Sequence, residues 1–212
     1  MAEKESKLLI FDFDGTIVNS KAVYYHAIEK YLNKKGFSKE TADKAIDIGL
    51  SLTETLKNLG IPFVTRFFVK RQIMFEVLDG VNKVKKCKDA NHIIQLKQKK
   101  ILISNSLSEF IMPVLKHLKL KDEFDEIYGA EAFDNKTDFV KEYLYRNSIN
   151  PKNCFYIGDR VADVKLAKAV KCKSIIVSNE TSWNTRKEIT KASPDFIISD
   201  LDDVKKIVDP KN

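Results

Sequence analysis

The chain has 212 residues, of which 43% are hydrophobic and 32% charged, the composition of a folded globular protein rather than a fibre or a disordered segment. Lys plus Arg number 37 against 30 for Asp plus Glu, a net charge of +7, but the lysines are spread along the whole chain. That distribution reads as a solvated surface and does not point to nucleic acid. The apolar runs around Ile10 and Ile176 are strand-length, far short of the roughly 20 residues of a membrane-spanning helix.

From Met1 to Lys7 the chain is charged and runs straight into a strand, with no secretory pattern. The continuous apolar stretch within Lys7 to Phe13 predicts a buried strand, which ends abruptly in Asp12-Phe13-Asp14-Gly15-Thr16. From Ser20 to about Asp79 the periodicity is helical. Ser20 is placed to cap a helix carrying Val23, Ala27, Ile28, Tyr31 and Leu32, with Gly36 closing it. Ser51-Leu52-Thr53-Glu54 fits a capping box for a helix running towards Gly60. Pro62 stands near the start of a longer helix with Phe63, Phe67, Phe68 and Phe75, a stripe expected to serve packing.

Beyond Gly80 helices and strands alternate. Helices are expected at Ala90 to Gln98, Leu107 to Leu118, Thr137 to Arg146 and Ala162 to Val170. Strands are expected at Lys100 to Ser104, Glu126 to Gly129, Cys154 to Ile157, Ser174 to Val177 and Asp195 to Ile198. This alternation predicts an α/β fold, a Rossmann-like parallel sheet with helices on both faces. The all-helical insertion after the first strand would form its own small module. The expected division is residues 1–15 and 84–212 for the core, and 16–83 for the helical module. Cys87, Cys154 and Cys172 are an odd number without metal-type spacing, expected as small buried residues in a reducing, cytoplasmic compartment.

In open parallel sheets ligands gather beyond the carboxyl ends of the strands. There the first strand delivers Asp12 and Asp14, the second Ser104 and Asn105, and the fourth Gly158, Asp159 and Asp163; Lys136 opens the helix after the third. Each alone is an ordinary turn or cap residue; together at successive strand ends they converge on one edge. Several carboxylates brought together repel one another unless a cation neutralises them. With only oxygen donors on offer and three scattered histidines, a hard ion such as Mg²⁺ fits better than zinc. Its charge would let an ionised Asp12 approach an anionic phosphate, with Asp14 in reach as general acid and then base. Ser104, Asn105 and Lys136 would hold the phosphate oxygens.

These residues carry a resemblance. Asp12-Phe13-Asp14-Gly15-Thr16 resembles the first motif of the haloacid dehalogenase superfamily, Ile101-Leu102-Ile103-Ser104-Asn105 the second, Lys136 the third, and Tyr156-Ile157-Gly158-Asp159 with Asp163 the fourth. Phe124-Asp125, Pro151 and Pro194-Asp195 stand where phosphoglycolate-phosphatase-like members have them, so the resemblance spans nearly the whole chain. It implies that Asp12 is the nucleophile forming an aspartyl-phosphate and Asp14 the acid/base. It further implies Mg²⁺ on the Asp12 carboxylate, the Asp14 backbone carbonyl and the Asp159 carboxylate, with Asp163 behind them. Ser104, Asn105 and Lys136 would bind phosphate. The helical insertion resembles the small cap of one branch of the superfamily, with Gly49-Leu50-Ser51-Leu52 as its substrate-facing loop.

Departures from the pattern are specific. The third motif usually reads Lys-Pro-x-Pro, whereas Lys136 is followed by Thr137-Asp138-Phe139. Asn19 stands where relatives often carry aspartate, and Val170-Lys171-Cys172 replaces a common Ala-Gly pair. Superfamily dehalogenases and phosphonatases lack an acid at the position of Asp14, so its presence favours phosphoester chemistry. The expected activity is Mg²⁺-dependent hydrolysis of a small phosphorylated metabolite, 2-phosphoglycolate first, by a monomer or homodimer with no membrane partner. A β-phosphoglucomutase-type mutase is the alternative, and would need a cap histidine where Tyr24 stands; His26, two positions on, is rotated by about 200° on a helix. A second alternative is a catalytically silent binding protein on the same scaffold, supported by the basic run Lys83, Lys85, Lys86 and Lys88.

Overall fold

The computed structural model describes residues 7–38, 40 and 52–210, which fall into two compact units. One contains residues 1–19 and 85–212, the other residues 20–84. The unit built on the chain's two ends holds a six-stranded, all-parallel sheet: β1 (Leu8–Phe11), β4 (Lys99–Ile103), β5 (Glu126–Tyr128), β6 (Cys154–Gly158), β7 (Lys173–Val177) and β8 (Phe196–Ile198). Their spatial order is β5-β4-β1-β6-β7-β8. Strand β1 is therefore central, with Phe11 in register with Leu102 of β4 on one side and Ile157 of β6 on the other. The chain winds first to one side of β1 and then to the other. A crevice opens beyond the carboxyl end of a strand at such a reversal.

All four β1 residues are buried, which is why their sequence is continuously apolar rather than alternating. On one face Leu8, Ile10, Ile101, Ile103, Cys154 and Tyr156 pack against Val140, Tyr143 and Leu144 of α5 (Lys136–Arg146) and Leu166 and Ala167 of α6 (Val161–Ala169). On the other, Phe11 meets Phe124 edge-on at 5.8 Å. Phe13 does the same at 6.1 Å with Phe110 of α4 (Ser108–His117). At roughly 1.5–3 kcal/mol per fully buried large apolar side chain, these faces anchor the strand ends that carry the polar residues.

After β1 the chain folds back on itself. Ile17 and Val18 donate their backbone N–H groups to the Phe13 carbonyl, Gly15 donates to Val18, and Gly15 takes φ +79° to close the turn. Residues 16–19 consequently stay with the sheet unit, so the division falls at Asn19 rather than at Gly15. Strand β2 (Val18–Asn19) then pairs antiparallel with β3 (Lys85–Lys86), and the chain leaves and re-enters the sheet unit through that two-residue ladder.

The helical unit contains α1 (Lys21–Lys34), α2 (Leu52–Asn58) and α3 (Phe63–Asp79) among its described residues. Helix α1 ends as its sequence predicts: Phe37 donates to Leu32 and Gly36 to Asn33, with Gly36 at φ +79°. Ser20 begins the helix without a side-chain capping bond; its backbone carbonyl accepts from Val23 and Tyr24 instead. Helix α3 packs on α1 and α2 and buries Val69, Ile73 and Val77, and Glu76 is bridged by Lys30 and Lys34. The phenylalanine stripe departs from expectation. Phe63, Phe67, Phe68 and Phe75 are all exposed, because the buried stripe follows the 69-73-77 spacing and turns them to the opposite side. Gly49, Leu50 and Ser51, and with them the capping box and the proposed substrate-facing loop, lie outside the described residues.

The helix expected over 90–98 is a shorter 3₁₀ segment, Ala90–Gln95. Buried Lys100 donates its Nζ to the carbonyls of Ile93 and Leu96 at the end of that segment, and the Ile93 carbonyl also accepts the backbone N–H of Leu96. Two helices had no counterpart in the sequence reading: α7 (Arg186–Lys191), opened by a Thr185–Glu188 capping box, and α8 (Asp202–Val208).

Candidate active site

Asp12 is the first residue past β1 and is held there by its own backbone, whose N–H donates to the Ile157 carbonyl at 2.8 Å. The carboxylate is buried, and its Oδ1 accepts from Lys136 Nζ at 2.6 Å. Lys136 is the first residue of α5, whose N-terminus is capped by Asn135: the Asn135 side chain accepts from the backbone of Thr137 and Asp138 at 2.9 and 3.1 Å. The cap substitutes for the prolines missing after Lys136 and fixes the lysine's point of departure. Both side chains of the pair are about nine-tenths buried. Lys136 also stands 5.5 Å from the ring centre of Tyr156, fully buried beneath it.

Asp159 follows β6 and Asp163 lies in the first turn of α6. Oxygens of Asp12, Asp159 and Asp163 all lie within 4.8 Å of one another, and all three residues are buried. Burial, followed by repulsion from Asp163 and Asp12, pushes the Asp159 carboxyl well above its ordinary range. Burial and Asp12 push Asp163 up to about 6, against the pull of Lys136. Asp163 is itself tied down, its Oδ2 accepting from the backbone of Asp159 at 3.2 Å and of Arg160 at 2.9 Å. Gly158 leaves room for this: a Cβ there would overlap the Asp163 side chain. Asp159 accepts from the Trp183 backbone and, at 3.5 Å, from Thr16 Oγ1.

The donor set suits a hard divalent cation. Three buried carboxylates share the space with one lysine, the burial that raises two of them is a cost that a bound cation removes, and every donor is oxygen. The structure brings Asp163 into this cluster beside Asp12 and Asp159.

Asp14 is half-buried and its carboxylate is directed elsewhere: Oδ2 accepts from Ser106 Oγ at 2.5 Å. Ser104, buried at the end of β4, donates its backbone N–H to Tyr128 and accepts with its hydroxyl from the backbone of Ser106. Asn105 between them is exposed. Ser106, Thr16 and the Trp183 backbone are the contacts that sequence reasoning missed. Ser106 was visible as the third residue of the Ser104-Asn105-Ser106 run, whereas nothing local marks Trp183.

Known proteins resemble this chain over most of its length. A profile of the haloacid dehalogenase-like hydrolases matches residues 9–177. A phosphoglycolate phosphatase of Vibrio vulnificus is 24% identical, covering 95% of this chain and 95% of its own length. One from Aquifex aeolicus is 25% identical, covering 96% and 97%. A haloacid dehalogenase-like hydrolase structure from Bacteroides fragilis superposes with a TM-score of 0.83 at 23% identity, over 94% of this chain and all of that one. The chain belongs to the haloacid dehalogenase-like hydrolases.

Proposed function

We propose that the protein is a Mg²⁺-dependent phosphatase acting on a small phosphomonoester through an aspartyl-phosphate, with 2-phosphoglycolate as the first candidate. The observation that carries this is the spacing of two carboxylates on one turn: Asp12 buried and paired with Lys136, Asp14 two residues on and held separately by Ser106. The names of the Vibrio and Aquifex relatives support the choice of substrate. The helical unit, residues 20–84, serves in this reading as the cap that selects the substrate.

The Asp12 carboxylate attacks phosphorus while the bond to the ester oxygen breaks, and Asp14 gives that oxygen its proton so that a neutral alcohol leaves. Asp14, now a carboxylate, takes a proton from water as the water oxygen bonds to phosphorus. The Asp12–phosphorus bond breaks, phosphate departs, and both side chains are restored. Lys136 and Ser104, with the backbone around Asn105, hold the phosphoryl oxygens and the charge that grows on them. Mg²⁺ would be held by Asp12, the Asp14 carbonyl and Asp159, with Asp163 positioning the Asp159 turn. When bound it neutralises the carboxylates and the phosphate so that two anions can meet.

The test is phosphate release from a panel of small phosphomonoesters with Mg²⁺ and with chelator. Release that requires Mg²⁺, ranked highest for 2-phosphoglycolate, is the expected result. Release with chelator present overturns the metal assignment, and glucose 1-phosphate isomerisation without release overturns hydrolysis in favour of a mutase.

A further inference from the structure

We propose that Ser106 is the positioning residue for the general acid Asp14, holding Oδ2 of its carboxylate so that the group keeps one orientation for proton transfer to and from the substrate. The inference rests on the phosphatase reading above. Its basis is the way the turn after β4 is built.

Ser106 is buried, and both its backbone groups are fixed. Its N–H donates to Ser104 Oγ at 3.0 Å and its carbonyl accepts from Ala130 at 2.9 Å. The obvious alternative use for a serine here is to cap the following helix, but the N-cap position belongs to Leu107 and no side-chain cap bond is made there. Leu107 is the residue before α4, and the backbone N–H of Ser108 is taken by the Glu131 carboxylate at 3.1 Å. The hydroxyl is instead aimed at Asp14 Oδ2, 2.5 Å away. The two ends of this contact are locked by the same packing, since Phe13, between the two aspartates, sits edge-on to Phe110 in the first turn of α4.

The chemistry follows from what a hydroxyl can do. It donates to a carboxylate, and it still donates to Oδ2 when Oδ1 carries the proton, so the contact survives both halves of the reaction. Asp14 thereby keeps one orientation while it alternates between acid and base, and orientation is what general acid catalysis requires. Lys136 and the buried carboxylates act on phosphoryl charge, whereas Ser106 acts through the proton donor Asp14. The consequence is selective. An alkyl ester needs its leaving oxygen protonated, whereas p-nitrophenolate leaves readily without a proton.

The experiment compares kcat/KM for an alkyl phosphate with that for p-nitrophenyl phosphate in wild type, Ser106→Ala and Ser106→Thr, with thermal melts on each. Ser106→Ala is expected to lower kcat/KM for the alkyl ester by about 10- to 100-fold, a fraction of what a general acid supplies. The loss on the aryl ester should be at least tenfold smaller, and the alkyl loss should fall on kcat rather than KM. Ser106→Thr restores the hydroxyl and should recover most of the alkyl activity. Equal losses on both esters, or no recovery in Ser106→Thr with its melting temperature intact, would overturn the inference. A wild-type enzyme that hydrolyses neither ester overturns the phosphatase reading itself, which is a different failure.

Discussion

Replacing Asp159 by asparagine removes one charge from a buried cluster without changing its shape, and so separates metal binding from stability. The oxygens of Asp12, Asp159 and Asp163 lie within 4.8 Å of one another. At that separation and an effective dielectric of about 20, each pair of full charges repels by about 3.5 kcal/mol. Lys136 offsets part of this, and part is avoided when Asp159 takes up a proton; a net gain of about 2–3 kcal/mol remains for the variant without metal. For a chain of this size that is roughly 4–12 °C in melting temperature. The pH dependence has a definite sign. The folded-state pKa of Asp159 is raised above its ordinary 3.8, so the wild type is most stable below that value and loses stability as pH rises through the raised one. The variant does not, and its advantage should grow across that window. In Mg²⁺ the order should reverse, because the wild type gains binding energy that the variant cannot. Thermal melts in chelator and in Mg²⁺ from pH 4 to 8 measure both effects. A variant that melts below wild type in chelator throughout that range would refute the repulsion argument and make the Asp159 carboxylate a net stabilising acceptor.

Three further outcomes are expected. Asp12→Asn should abolish turnover while leaving the fold intact; near-normal phosphate release in that variant would remove Asp12 as nucleophile. Lys136→Met leaves Asp12 buried without its cation, which should cost about 3 kcal/mol in a urea titration with chelator and lower kcat by at least about 100-fold. The three cysteines are buried, and burial pushes the Cys87 thiol up to about 12. A thiol-specific reagent should therefore label none of them in the native protein and all three in denaturant; labelling of Cys87 in the native state would contradict its packing.

The sheet was legible because its strands are short apolar runs between polar turns, and Leu8 to Phe11 could hardly be anything but a doubly covered strand. The carboxylates were legible because ligand sites in parallel sheets gather at strand ends, where apolar sequence stops abruptly. What escaped was set by long-range contact. The 3₁₀ segment before β4 ends against Lys100, whose buried Nζ takes the last carbonyls by a contact that depends on the tertiary fold. The exposed side of α3 could not be chosen from its sequence, because Phe63, Phe67, Phe68 and Phe75 are as apolar as the Val69, Ile73 and Val77 that are buried. Ser106 and the Trp183 backbone reach their aspartates across 92 and 24 residues of sequence, and periodicity carries no information at that range.

The ladder between β2 and β3 gives the molecule a modular design. Val18 faces Lys86 and Asn19 faces Lys85, so the two ends of the helical unit are one strand spacing apart, about 5 Å. A tight turn spans that gap as readily as the whole of residues 20–84. Loop-closure entropy grows only logarithmically with length, so the sheet unit is nearly indifferent to the size of what is inserted there. Its hydrogen-bonded register is complete on either side of the insertion. Evolution or an engineer can therefore lengthen, shrink or exchange the insert without renegotiating the packing that holds Asp12, Asp159 and Asp163.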